Sequence, residues 1–148
     1  MARINVTHVL GGGLLAGLVI NVLGGFAWEM VLADDFQRQL VAPLPGQIFM
    51  ASWLWSFAVG VMAVSLYAAI RAHFGSGSKT AIIAGAMTWV LGCALPNGLI
   101  WAFGIFEGSL MATSSAVGLV ELVLATLAGA WLYRSAGEVV AVESGASA

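Results

Sequence analysis

The chain has 148 residues, 61% of them hydrophobic and only 8% charged, with a formal net charge of -2. Soluble domains carry roughly 45 to 50% apolar and about 25% charged residues, so this composition excludes a soluble globule, and the same apolar excess excludes intrinsic disorder. Five basic residues are too few for the clustered cationic surface that nucleic acid requires, and a lone cysteine, Cys93, excludes an intramolecular disulfide.

Four apolar stretches run from Val9 to Leu32, Gln47 to Ala72, Thr80 to Phe106 and Leu110 to Tyr133. Each is at or above the ~20 residues a helix needs to cross ~30 Å of hydrocarbon. Helices are required there because lipid offers the backbone no hydrogen-bond partner, and the short alternating segments of a β-barrel are absent. The predicted fold class is therefore all-α, a transmembrane four-helix bundle forming one domain over residues 1–134. A flexible polar tail is expected over 135–148.

In the first stretch, Arg3 ahead of an apolar run also suits a cleaved signal peptide. The run is too long for one, and Glu29 interrupts the place where a small-residue cleavage site should lie, so it is read as a span. Its polar residue Asn21 shares a helix face with Gly17, Gly24, Gly25 and Trp28. Asp34, Asp35, Pro43, Pro45 and Gly46 are expected to stop the helix and make Ala33 to Gly46 the one sizeable loop. The second span carries a seam of Ser52, Ser56, Gly60, Ala63 and Tyr67.

Pro96 in the third span removes a helix donor and sets its ring against the carbonyl of Gly92, so a kink is expected near Gly92 to Pro96. Asn97 follows it. In the last span Glu121 lies roughly 16 Å from the outer end at 1.5 Å per residue, close to the midplane. A charge there costs some 2.5 kcal/mol or more unless it is protonated, paired or wet, so Glu121 should point into the bundle. Ser114, Gly118, Ala125 and Ala128 share its face as a small-residue strip.

Arg3, Arg71, Lys79 and Arg134 fall on one side of a four-span chain, which predicts cytoplasmic termini in an inner cell membrane. Trp28, Trp53, Trp55 and Trp101 are expected at the outer interface, and Tyr67, Trp131 and Tyr133 at the inner one. An internal repeat is suggested where Leu14-Leu15-Ala16-Gly17 aligns with Ile82-Ile83-Ala84-Gly85. The same register pairs Trp28 with Pro96 and Glu29 with Asn97. The bundle would then be a tandem repeat of two helical hairpins, with an axis along the membrane normal.

The runs Ala16-Gly17-Leu18-Val19-Ile20-Asn21, Glu121-Leu122-Val123 and Gly129-Ala130-Trp131-Leu132-Tyr133-Arg134 resemble small four-span bacterial integral membrane proteins of no assigned function. The resemblance implies the architecture and carries over no activity and no catalytic residue.

Candidate ligand- or proton-binding residues are therefore Glu121 and Asn21, with Glu29 and Asn97 nearer the outside. Packing of the bundle is the other role for Asn21 and Glu121, a solvated boundary position reaching headgroups or water that for Glu29, and a simple kink rescued by neighbouring Ser or Thr that for the Pro96-Asn97-Gly98 stretch. His8 and His73 alone make no convincing metal or haem site, so no metal and no cofactor is expected, and no catalytic constellation is present. The expected function is small-ligand binding or transport through a buried polar layer, with the lipid bilayer as surroundings and a homodimer or larger complex as possible assembly. The alternative is an accessory or structural subunit of a larger membrane complex; a membrane enzyme ranks third.

Overall fold

The computed structural model describes residues 5–42 and 44–145, with side chains up to residue 135. Arg3, Pro43 and the side chains of most of the expected tail lie outside that set. Four helices are long and apolar enough to cross a membrane: α1 (Val6–Gln39), α2 (Gln47–Phe74), α3 (Ser78–Ala102) and α4 (Gly108–Gly145). Among the described residues there is no strand. The protein is an all-α bundle of four membrane-spanning helices, running up and down with α1 and α3 on opposite corners.

The helices sort their faces by size rather than polarity, because both the interior and the surrounding lipid are apolar. On α1 the outward residues are Val6, Leu10, Leu14, Leu18, Val22 and Phe26, whereas Gly12, Gly13, Ala16, Gly17 and Ile20 are buried. Backbones meet directly at these glycines. A Cβ on Gly12 would lie 2.5 Å from the Gly129 carbonyl oxygen, and one on Gly60 would lie 2.5 Å from that of Gly13. Buried hydroxyls turn back on their own helices: Thr88 donates to the Ala84 carbonyl and Thr126 to that of Leu122.

One end of the bundle is basic. Arg71 sits 4.6 Å above the Tyr133 ring, and Tyr133 meets His8 and Tyr67 edge-on. The Arg134 guanidinium donates to the Ser76 carbonyl in the turn between α2 and α3 at 3.0 Å. Tyr67 and Tyr133, expected at the inner interface, lie toward this basic end. Both are buried and close the bundle from inside, while Trp131 does face outward.

At the opposite, acidic end, α1 continues past the expected stop at Ala33. A π-helical turn at Trp28–Leu32, in which the Ala33 N–H donates to the Trp28 carbonyl, carries the chain into a further helical segment, Ala33–Gln39. The extra residue of a π turn rotates the helical residues beyond it. Leu32 thereby packs with Leu110 and Met111, and Phe36 stacks between Trp28 at 5.3 Å and Phe106 at 5.0 Å. Asp34 and Asp35 do not end the helix: Asp35 pairs with Arg38 at 3.1 Å, and the packing of Leu32 and Phe36 holds the segment in place. The Gln39 side chain accepts from the Glu107 N–H at 2.8 Å, clasping this segment to the α3–α4 turn.

The kink expected before Pro96 takes the form of a second π turn, Val90–Ala94. Widening the turn below the pyrrolidine ring relieves the clash with the Gly92 carbonyl, and the Leu95 N–H reaches back to Val90. The two π turns begin at Trp28 and Val90, whereas the sequence register pairs Trp28 with Pro96. The irregular turns do not superpose in that register, and the internal repeat is not shown. At the other end of the chain, α4 stays helical beyond Arg134 to Gly145, so backbone expected to be tail is helix.

Candidate functional site

Glycine contact holds α1 and α2 together in their basic halves, where a Cβ on Gly17 would strike the backbone of Phe57 at 2.7 Å. Beyond Gly17 the close glycine contact with α2 ends: a Cβ on Gly24 would meet Glu121 first and one on Gly25 nothing within 4 Å. Asn21 fills the fork: its amide nitrogen donates to the Gly17 carbonyl at 3.1 Å and, across the interface, to the Trp53 carbonyl at 3.4 Å. Both partners are acceptors, so the nitrogen must be the end that faces them and the oxygen faces away. Above Asn21, Gly24 and Gly25 bring no side chain into the gap.

The result is a groove of about 890 Å³ in the acidic half of the bundle. Asn21, Gly24, Trp28 and Glu29 of α1 form one wall, and Ser52, Trp53 and Ser56 of α2 the other. Glu121 of α4 reaches it from behind α1, through the window left by Gly24: Oε1 lies 2.8 Å from where a Cβ on that glycine would sit. Exposed Phe26, Met30, Phe49 and Trp53 form the lips on the lipid side. The groove is thus reached laterally, at a level between the midplane and the acidic end.

Three of the four polar residues singled out from sequence, Asn21, Glu29 and Glu121, meet here. Glu29 stands exposed on the rim, on the π turn; Glu121 is partly buried at the back. Asn97 is elsewhere. Its amide donates to the Ser115 hydroxyl at 3.0 Å, the Ser114 hydroxyl at 3.3 Å and the Cys93 sulfur at 3.6 Å, tying α3 to α4. The Trp89 indole N–H adds a bond to the Ser115 carbonyl at 2.8 Å. A separate cleft of about 370 Å³ adjoins this network, lined by Asn97, Trp101, Met111 and Ser115. The small-residue strip on α4 is correspondingly divided, since Gly118 receives the Cys93 sulfur and not the groove.

The sequence signalled Ser52 and Ser56 only as a packing seam and Trp28 and Trp53 only as interfacial aromatics. What could have joined them to Glu121 is the absence of side chains at Gly24 and Gly25 one turn beyond Asn21. Among the described residues no set of three or more His, Cys, Asp and Glu is placed to hold a metal ion. Nor does any described residue give the Glu29 or Glu121 carboxylate an ion pair; the one ion pair there is Asp35–Arg38. No family model, curated protein or solved structure matches this chain.

Proposed function

We propose that the protein binds a small molecule in the lateral groove between α1 and α2, with Asn21 as its floor and Glu121 as its polar back wall. The observation that carries this reading is the convergence of Asn21, Glu29 and Glu121, from two helices, on one groove. Structural polar residues in lipid are expected to be spent on one another, as Asn97, Ser114 and Ser115 are. Glu121 instead opens on space large enough for a drug-sized ligand. Below Asn21 the glycine contacts leave no path, so movement of a ligand across the membrane requires α1 and α2 to part along the Gly13, Gly17 and Gly60 seam.

A panel of cationic, neutral and anionic phenylalkyl amphiphiles tests this by thermal melting of the detergent-purified protein. At least one should raise the melting temperature saturably, and Ser52→Phe, which fills the groove, should abolish that rise while remaining monodisperse. Equal stabilisation of Ser52→Phe, or no stabilisation by any member, would reject the groove as a binding site.

As part of the same proposal, Arg71, Lys79 and Arg134 gathered at the basic end favour a cytoplasmic location for that end and for both chain termini, in a bacterial inner membrane. The second reading, a subunit of a homodimer or larger complex, is favoured by α2, where every residue from Gln47 to Trp55 is exposed. Such a complex would appear as a stoichiometric partner after gentle solubilisation, crosslinked through a cysteine placed at Met50 or Leu54.

A further inference from the structure

The donors and acceptors around the groove are unevenly used, and the imbalance bears on what it can hold. Asn21 spends its amide N–H groups on the Gly17 and Trp53 carbonyls, leaving Oδ1. Ser52 donates its hydroxyl proton to the Ile48 carbonyl and Ser56 to the Ser52 carbonyl, both at 2.9 Å, which leaves oxygen lone pairs facing outward. Glu29 and Glu121 add two carboxylates, and among the described residues no Lys, Arg or His lines the groove. With both carboxyls ionised, the indole N–H groups of Trp28 and Trp53 are the side-chain donors that remain on its walls among the described residues.

From this imbalance we infer that the groove takes a protonated organic amine with an apolar, preferably aromatic, body. The inference rests on the groove being a binding site at all, and it names the class of ligand. An ammonium group supplies several N–H donors and a positive charge to a cluster of acceptors that has neither. Placed between Glu121 and Glu29, it would have the Asn21 and serine oxygens as further acceptors. The exposed Trp53 ring on the groove wall suits the same ligand, because aromatic rings attract cations and pack against apolar groups. Phe26, Met30 and Phe49 at the lips would accommodate the hydrocarbon portion. An anion would meet two carboxylates in a medium of low dielectric and be repelled.

Four probes of one shape separate charge from hydrogen bonding: phenylbutylamine, trimethyl(phenylbutyl)ammonium, phenylbutanol and phenylbutyrate, measured by titration calorimetry against the full chain in detergent. The expected order of affinity is amine, then quaternary ammonium, then alcohol, with the carboxylate weakest. Glu121→Gln should weaken the amine on the order of tenfold or more, the effect of about one charge-assisted hydrogen bond, while leaving the alcohol within about threefold. Glu29→Gln, on the exposed rim, should act in the same direction by a smaller factor and guards against misfolding of the Glu121 variant. An alcohol or carboxylate that binds as tightly as the amine and is displaced by Ser52→Phe would overturn the amine assignment and leave the groove standing. Amine affinity unchanged in both glutamine variants would also overturn it. If no probe binds in a manner sensitive to Ser52→Phe, the groove itself fails as a site and the inference fails with it.

Discussion

A glycine in this bundle matters by what faces it. Gly60 lies against the backbone of Gly13 and Gly17, and backbone cannot yield as a side chain can. Gly25 faces open space. Gly60→Ala is expected to destabilise the protein by about 1 to 3 kcal/mol, the range for overpacking a close contact, whereas Gly25→Ala should be neutral or stabilising by up to about 1 kcal/mol, because alanine is the better helix former and meets nothing there. Thermal melting of the two variants side by side checks the contrast. Tyr67 makes the opposite case. Its side chain is 0% exposed and its hydroxyl has no hydrogen-bond partner among the described residues. Removing an unsatisfied buried hydroxyl relieves a desolvation penalty of about 1 to 3 kcal/mol, offset in part by the lost contacts of one oxygen. Tyr67→Phe should therefore melt at the same temperature or higher; a clear drop would reveal a partner for the hydroxyl. Glu121 and Asn21 were legible from sequence, because an acid or amide at depth in an apolar run needs a reason. That Asn97 belongs to a different network was not, since its position relative to α4 depends on the π turn before it.

Helix irregularity sets where side chains point. The π turn at Trp28–Leu32 brings Leu32 and Phe36 over the α3–α4 turn, and the one at Val90–Ala94 precedes the segment that carries Asn97 to Ser114 and Ser115. Proline chemistry made the second predictable as a kink. Nothing comparable marks the first, and two aspartates beside it read as a stop signal; the packing of Phe36 against Trp28 and Phe106, with the Gln39 clasp to the Glu107 N–H, explains why the helix goes on. Each such aromatic pair contributes roughly 0.5 to 1.5 kcal/mol beyond area burial. Phe36→Ala is predicted to release this segment locally. Amide hydrogen exchange should accelerate over residues 33–39 and 103–107, with the Gly12 to Gly17 stretch of α1 as protected as in the parent. Equal acceleration in both places would mean that the segment is integral to the bundle and not an addition to it.

Across the whole molecule, size segregation in the basic half and side-chain absence in the acidic half divide the bundle into a closed end and a forked one. The four spans follow from composition and length alone, and so does the inward placement of small residues. The fork does not, because it depends on close glycine contact between two helices ending beyond Gly17, which no apolar pattern records. The central claim is that Glu121 faces this fork while its neighbours on α4 face lipid: Val120 is 59% and Leu124 46% exposed. Single cysteines at positions 120, 121 and 124, in a Cys93→Ser background reconstituted in lipid nanodiscs, can be challenged with a small water-soluble thiol reagent. The cysteine at 121 is expected to react and to be protected by Ser52→Phe, while those at 120 and 124 react little. Labelling at 120 or 124 with none at 121 would contradict that placement.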